Sequence, residues 1–173
     1  MPQERWKPIT DFPYYLISDL GNVYNVKTES VMAKSRTIQG DLKVTLSSNG
    51  TRVTRSIRVL VAEAFVPVPP VGPGFHKSAI PDTVIILDNN QENVIAYNLA
   101  WRPRWFAHKY VRQFKQELPD AYHYSPVQNL STGAIYVSVV EAGIREGLLF
   151  NDIFKSAQTR FPIYPNNHTF IFP

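Results

Sequence analysis

Apolar and polar residues alternate along residues 42–46 and 52–57, on either side of Ser48-Asn49-Gly50. A period of two marks strands, and Asn-Gly between two such runs marks a hairpin. Shorter runs at 14–17 and 22–25 predict strands around an Asp19-Leu20-Gly21 turn. Residues 59–65 are apolar and rich in Ala and Leu, which predicts a short helix. Residues 66–74 hold four prolines and two glycines, which predicts a loop. Residues 80–87 read as a strand. Asn98 is placed to cap a helical turn with its side-chain oxygen, and Pro103 interrupts that turn. Phe106, Tyr110, Phe114 and Leu118 then recur every four residues, which predicts a helix over about 104–118 with Pro119 stopping it.

The last third reads as a small α+β module. Residues 127–130 and 134–137 flank Ser131-Thr132-Gly133 as a hairpin. Ser138 with Glu141 three residues on makes a capping box, and Gly147 ends the helix that follows. Asn151 is placed to cap a second helix through about residue 158, and residues 169–172 read as a closing strand. Two short helices joined by a tight turn resemble helix-turn-helix geometry. The fold class is therefore α+β, in four parts: residues 1–58, 59–103, 104–124 and 125–173.

Composition narrows the picture. A hydrophobic fraction of 44% in 173 residues supports a packed core and argues against wholesale disorder. No apolar run is long enough to span a bilayer, and the charged, aromatic start MPQERWKP is unlike a secretory signal. With no cysteine, disulfides and thiolate zinc sites are excluded, which suits an intracellular protein.

The segment VIILDNNQENVIAYNLAW, residues 84–101, and LVAEAFVP, residues 60–67, carry a resemblance. Together they are similar to the ββα-metal core of HNH-type homing endonucleases, the small nucleases of phage introns. In that family the second hairpin strand bears an acidic residue followed by a His. An Asp- and Asn-rich turn and an Asn-Leu-x-Trp helix start come next, with a further metal-binding Asn six residues past the Trp. Here the turn is residues 88–93, and the helix start is Asn98-Leu99-Ala100-Trp101; the resemblance makes Asn98 a brace of that loop, against which the helix cap is the preferred reading. The three positions that the resemblance makes catalytic or metal-binding fall on Ile85, Ile86 and Ala107. None offers a lone pair or a proton, whereas a hard divalent cation takes oxygen ligands. Arg58 and Val59 stand where the family has a His ahead of residues 60–62.

The resemblance covers nearly the whole chain. Trp6-Lys7-Pro8-Ile9 with YYLISDLGNVYN, residues 14–25, is similar to a modular DNA-binding motif that precedes HNH cores. SVVEAG, residues 138–143, resembles a nuclease-associated helix-turn-helix module. The implied architecture is a small N-terminal antiparallel sheet, an HNH-like ββα core lacking its metal site, a linker helix and a helix-turn-helix-like C-terminal module.

Charge is distributed unevenly. Residues 1–115 hold 15 Lys and Arg against 9 Asp and Glu, and residues 116–173 hold 3 against 5. Two clusters stand out as candidate nucleic-acid contacts. Lys34, Arg36, Lys43, Arg52, Arg55 and Arg58 lie on or near the hairpin, and a two-stranded ribbon fits a major groove. Lys109, Arg112 and Lys115 lie off the apolar face of the linker helix, with Arg102 and Arg104 before them and no acid in the stretch. The bland reading of both is a solvated surface. Of the histidines, His76 and His108 with Asp88 are a conceivable displaced metal site, although no spacing favours it. His123 and His168 read as surface or packing groups. Lys155, Ser156, Gln158 and Arg160 are the polar residues available on the last helix, with Phe154, Phe161 and Tyr164 as exposed apolar candidates.

The leading expectation is a non-catalytic nucleic-acid-binding protein of phage origin, without cofactor, that binds DNA weakly and in a salt-dependent way. A repurposed adaptor that binds protein through the C-terminal module is the alternative, in the host cytoplasm or a virion and not at a membrane. An endonuclease with a shifted site ranks third.

Overall fold

A computed structural model describes residues 3–71 and 76–173. The chain divides into two compact units, Met1–Arg104 and Trp105–Pro173. Of the loop expected over residues 66–74, residues 72–74 lie outside the described part.

The first unit begins with a four-stranded antiparallel sheet in chain order: β1 (Trp6–Ile9), β2 (Phe12–Ser18), β3 (Val23–Asn25) and β4 (Ser30–Val31). Gly21 closes the β2–β3 turn with φ +82°, and a Cβ there would stand 2.6 Å from the Val94 side chain. Both the backbone angle and the space therefore require glycine. Arg5 donates to both carboxylate oxygens of Asp19 at 3.0 and 2.8 Å. These bonds hold the Asp19 carboxyl below its ordinary range.

A second sheet, β5 (Ser35–Arg36), β6 (Leu42–Ser48) and β7 (Thr51–Ser56), is also antiparallel. Asn49 and Gly50 take left-handed φ of 50° and 79°, as the Asn-Gly signal requires. Helix α1 (Ile57–Phe65) follows directly and buries Ile57, Leu60, Val61 and Ala62. The expected helix over 59–65 thus starts two residues earlier.

The third sheet is a two-stranded pair, β8 (Thr83–Ile86) and β9 (Leu99–Arg102). Here the structure corrects two expectations. Thr83–Ile86 is the first strand of its hairpin, not the second. Asn98-Leu99-Ala100-Trp101 does not start a helix, because Leu99 pairs with Ile86 and Trp101 with Val84 as strand partners. The side chain of Asn98 is buried and accepts from the Asp88 amide at 3.2 Å. It donates to the Asp88 carboxylate at 2.9 Å and to the Asn93 carbonyl at 2.7 Å. Asn98 therefore braces the 88–93 turn and caps no helix. Asn98→Ala should cost about 2–4 kcal/mol, because it strips partners from buried polar groups. Chemical unfolding of the variant measures this, and a loss under about 0.5 kcal/mol would refute the brace.

The core of this unit joins the three sheets over α1. It contains Ile17, Val23, Val44, Leu46, Leu60, Val84, Ile86 and Trp101 among others. Trp101 also donates its indole N–H to the Val66 carbonyl at 3.1 Å.

The second unit opens with α2 (Arg104–Gln113), then α3 (Asp120–Tyr124), β10 (Val127–Asn129), β11 (Ile135–Tyr136), α4 (Val139–Glu146), α5 (Phe150–Thr159) and β12 (Phe170–Ile171). The strands form an antiparallel sheet ordered β11-β10-β12. Phe106 and Tyr110 are fully buried, and their rings stack at 6.2 Å. Helix α2 stops five residues short of the expected Leu118. Gln113 is buried, accepting from the Phe150 amide at 2.9 Å, and the Phe114 ring meets Phe150 at 5.4 Å. These contacts turn the chain before Pro119 does.

Ser138 accepts from the Glu141 amide at 3.0 Å, and the Glu141 carboxylate accepts from the Val137 amide at 2.9 Å. This is the reciprocal capping box expected there. Gly147 ends α4 in the left-handed region. Asn151 does not cap α5. The N-cap position is Leu149, and the Asn151 side chain instead accepts from the Tyr122 hydroxyl at 3.1 Å.

Candidate nucleic-acid interface

The β6–β7 ribbon has two unlike faces, because side chains alternate along a strand. Val44 and Leu46 point into the core. The other face carries Lys43, Thr45 and Ser47, whose cross-strand partners are Ser56, Thr54 and Arg52. Ser35 on β5 pairs with Lys43 and extends this row. The Thr45 and Thr54 hydroxyls lie 3.1 Å apart. Ser56 is half-buried and donates to the Asp41 carboxylate at 3.1 Å. The solvent-facing hydroxyls are therefore those of Ser35, Thr45, Ser47 and Thr54, with Lys43 and Arg52 toward the two ends. Hydroxyls and cations are the groups that meet phosphate and sugar in protein–DNA contacts.

The six cations expected on this cluster separate into two kinds. Arg36 is paired with Glu92. Arg55 is paired with Glu63 at 3.1 Å, and Arg58 with Asp41 at 3.4 Å. Arg58 also donates to the Gln91 side chain at 3.4 Å. Lys34 donates to the Asn22 side chain at 3.0 Å. Lys43 and Arg52 have no acidic partner within salt-bridge distance among the described residues.

On α2 the exposed residues include Arg104, Trp105, His108, Lys109 and Arg112. The Lys109 ammonium sits 5.3 Å from the centre of the Trp105 ring. Lys115 lies past the helix end. Arg102 is buried at 6% exposure on β9, and its guanidinium donates to the Trp101 carbonyl at 2.9 Å. It belongs to the interior, where a phosphate does not reach it.

Beside α2, an open cleft of about 420 Å³ is lined by Lys109, Arg112, Tyr122 and the start of α5. Burial pushes the Asp152 carboxyl there up, and Lys109 and Lys155 pull it partly back. Ser156, expected to face a ligand from α5, is instead buried. It donates to the Phe161 carbonyl at 2.7 Å and accepts from the Phe170 amide at 3.0 Å. Phe154 packs on Tyr122 and Phe172, and Tyr164 on Trp105 and Phe106. Of the three apolar candidates only Phe161 is fully exposed, at 71%.

Ile85 and Ile86 are 2% and 4% exposed, and Ala107 is 7% exposed. Asp88 spends its carboxylate on the Asn90 amide and on the Asn93 and Asn98 side chains. His76 bonds Ser78. His168 sits 2.9 Å from Glu146 and also 2.9 Å from the Asn129 amide, a packing role. Among the described residues, no group of three or more His, Cys, Asp or Glu side chains is placed to hold a metal ion. Among them also, no helix is long and apolar enough to cross a membrane.

No curated protein sequence matches the chain. Residues 4–55 match the NUMOD4 motif, which spans β1 to most of β7. The whole chain is similar to the HNH homing endonuclease I-HmuI, solved in a study of its DNA binding and cleavage. The TM-score is 0.52 at 19% identity, over 98% of each chain. Residues 4–55 thus match a NUMOD4 motif, and the fold of the chain is similar to that of an HNH homing endonuclease.

Proposed function

We propose that this protein binds nucleic acid on a homing-endonuclease frame and does not cut it. The observation that carries the reading is the ribbon face, where Lys43 and Arg52 stand unopposed among hydroxyls on the solvent side. The exposed cations of α2 add a second contact of the same chemistry. On this reading residues 1–58 and 104–124 carry the phosphate contacts. Residues 59–103 are an HNH-like core kept as scaffold, and residues 125–173 present α4 and α5 as a helix-turn-helix-like pair.

The metal that the HNH frame implies does not fit the residues present. Ile85, Ile86 and Ala107 have no ligand atom in their side chains, and all three are buried. We expect no nicking or cleavage of duplex DNA with Mg²⁺ or Mn²⁺. Divalent-dependent nicking by the purified protein that disappears in the His76→Ala, His108→Ala double variant would overturn this and establish a shifted site.

An adaptor role is the second reading. It is favoured by Ile135, Val137 and Phe161, which expose 66%, 75% and 71% of their surface in the C-terminal unit. Failure to bind any nucleic acid at low salt would leave that reading standing.

A further inference from the structure

The hairpin tip that ends the ribbon face also walls a pocket. Residues 47–50 form one side, and Tyr14, Tyr15, Asn25 and Lys27 form the other, around about 340 Å³. The tip is fixed in place because the buried Tyr15 accepts from the Ser47 amide at 3.2 Å. The Lys27 ammonium lies 3.6 Å from the centre of the Tyr14 ring. That cation–π contact holds a flexible cation in one position, which lowers the entropy lost when a ligand binds it. The Asn25 side-chain oxygen accepts from the Lys27 and Thr28 amides at 2.9 and 3.4 Å. Its amide nitrogen bonds no described residue.

Donor-bearing residues line it: Lys27, Asn25, Ser47 and Ser48. No carboxylate faces it. A nucleobase is a poor occupant, because Lys27 already covers the Tyr14 face on which a base would stack. An anion with several acceptor oxygens suits it, and the volume leaves room for an attached sugar. Ser47 belongs to both the pocket and the ribbon face, where it pairs with Arg52. The pocket therefore continues the ribbon's cationic band past its tip.

We propose that this pocket seats one phosphodiester of a bound nucleic acid strand, held by Lys27 and Asn25. The assignment rests on the nucleic-acid reading above, and its test separates the two. Duplex binding is measured by fluorescence anisotropy against salt for the intact chain, for Lys27→Met and for Asn25→Asp. The second change keeps the acceptor for the Lys27 and Thr28 amides and replaces the donor by a negative charge. Equal melting temperatures verify the folds.

Lys27→Met should weaken binding at low salt roughly tenfold, equally for unrelated sequences, and reduce the salt slope by about one. Asn25→Asp should weaken it further, and Lys27→Arg should retain most of the affinity. If the intact chain binds duplex DNA and both variants bind it equally well, the pocket assignment is wrong while the broader reading survives. If the intact chain binds no duplex, the broader reading fails. A titration of inorganic phosphate followed by NMR then decides the pocket. Saturable shifts at Lys27 and Asn25 that vanish in Lys27→Met would make it a site for a free phosphate group, and their absence would leave no anion site at all. Either result overturns the phosphodiester assignment.

Discussion

Converting Ile85→Asp and Ile86→His together should destabilise the first unit by about 4–6 kcal/mol and lower its melting temperature by about 15 °C. Both side chains are buried on β8, and Ile86 belongs to the core that joins the three sheets over α1. Each substitution removes buried apolar surface and puts a polar group where no partner waits. The penalty should also depend on pH. A carboxyl placed at position 85 is desolvated, so its pKa in the fold rises above its unfolded value. The folded state then favours the protonated form. The carboxyl's share of the loss is smallest below its unfolded pKa, about 4, and grows as pH rises above it. The buried imidazole at position 86 adds a loss that grows as pH falls below its unfolded pKa, about 6.5. A double variant that melts like the original at neutral pH would show that position 85 opens onto solvent. It would also reopen the question of catalysis, because two of the three degenerate positions, with Ala107 the third, would then accept the groups an HNH site needs.

How much of this was legible in the sequence depends on how local the cause is. Asn49-Gly50 sets the β6–β7 hairpin through its own backbone angles, and Ser138 with Glu141 closes the α4 cap within four residues. Both were readable. Asn98 reads from sequence both as a loop brace and as a cap, with the cap wrongly preferred, because the deciding partners, Asp88 and Asn93, lie ten and five residues back. A cap and a loop brace use the same amide chemistry, and only the pairing of β9 with β8 decides between them. The unbroken apolar run at 84–87 did foretell a strand covered on both faces, where alternation has no role.

The candidate interface was legible as a region and not as a set of residues. Counting charge along the chain treats Arg36 and Lys43 alike. The fold brings Glu92, which is 56 residues away in sequence, against Arg36, and among the described residues it leaves Lys43 without an acid at salt-bridge distance. Lys27 was missed because it stands outside the basic run, in the turn two residues past the end of β3. Its significance arises from Tyr14 across the sheet and from the hairpin tip, neither of which is its sequence neighbour. The signal available was weak: a lone Lys two residues past Asn25, in the turn after a strand.

Replacing Lys43 and Arg52 together by Ala should reduce affinity for duplex DNA at low salt by about 30- to 100-fold and lower the salt slope by about two. Neither cation is tied up by an acid among the described residues, so each is free to displace counterions from a phosphate. Neutralising Lys109, Arg112 and Lys115 should act in the same way from the second unit. The contrast lies in Arg36, Arg55 and Arg58. Each already faces a carboxylate. Removing all three lowers the local net charge by three but takes away no cation free to meet a phosphate, so affinity should fall less per charge removed than it does for Lys43 and Arg52. Phosphate contact carries no sequence information, so every duplex should be affected alike. A loss confined to one sequence would mean that the ribbon reads bases. Equal losses from the paired and unpaired sets would mean that net charge alone governs binding, and the ribbon face would lose its claim to be the site.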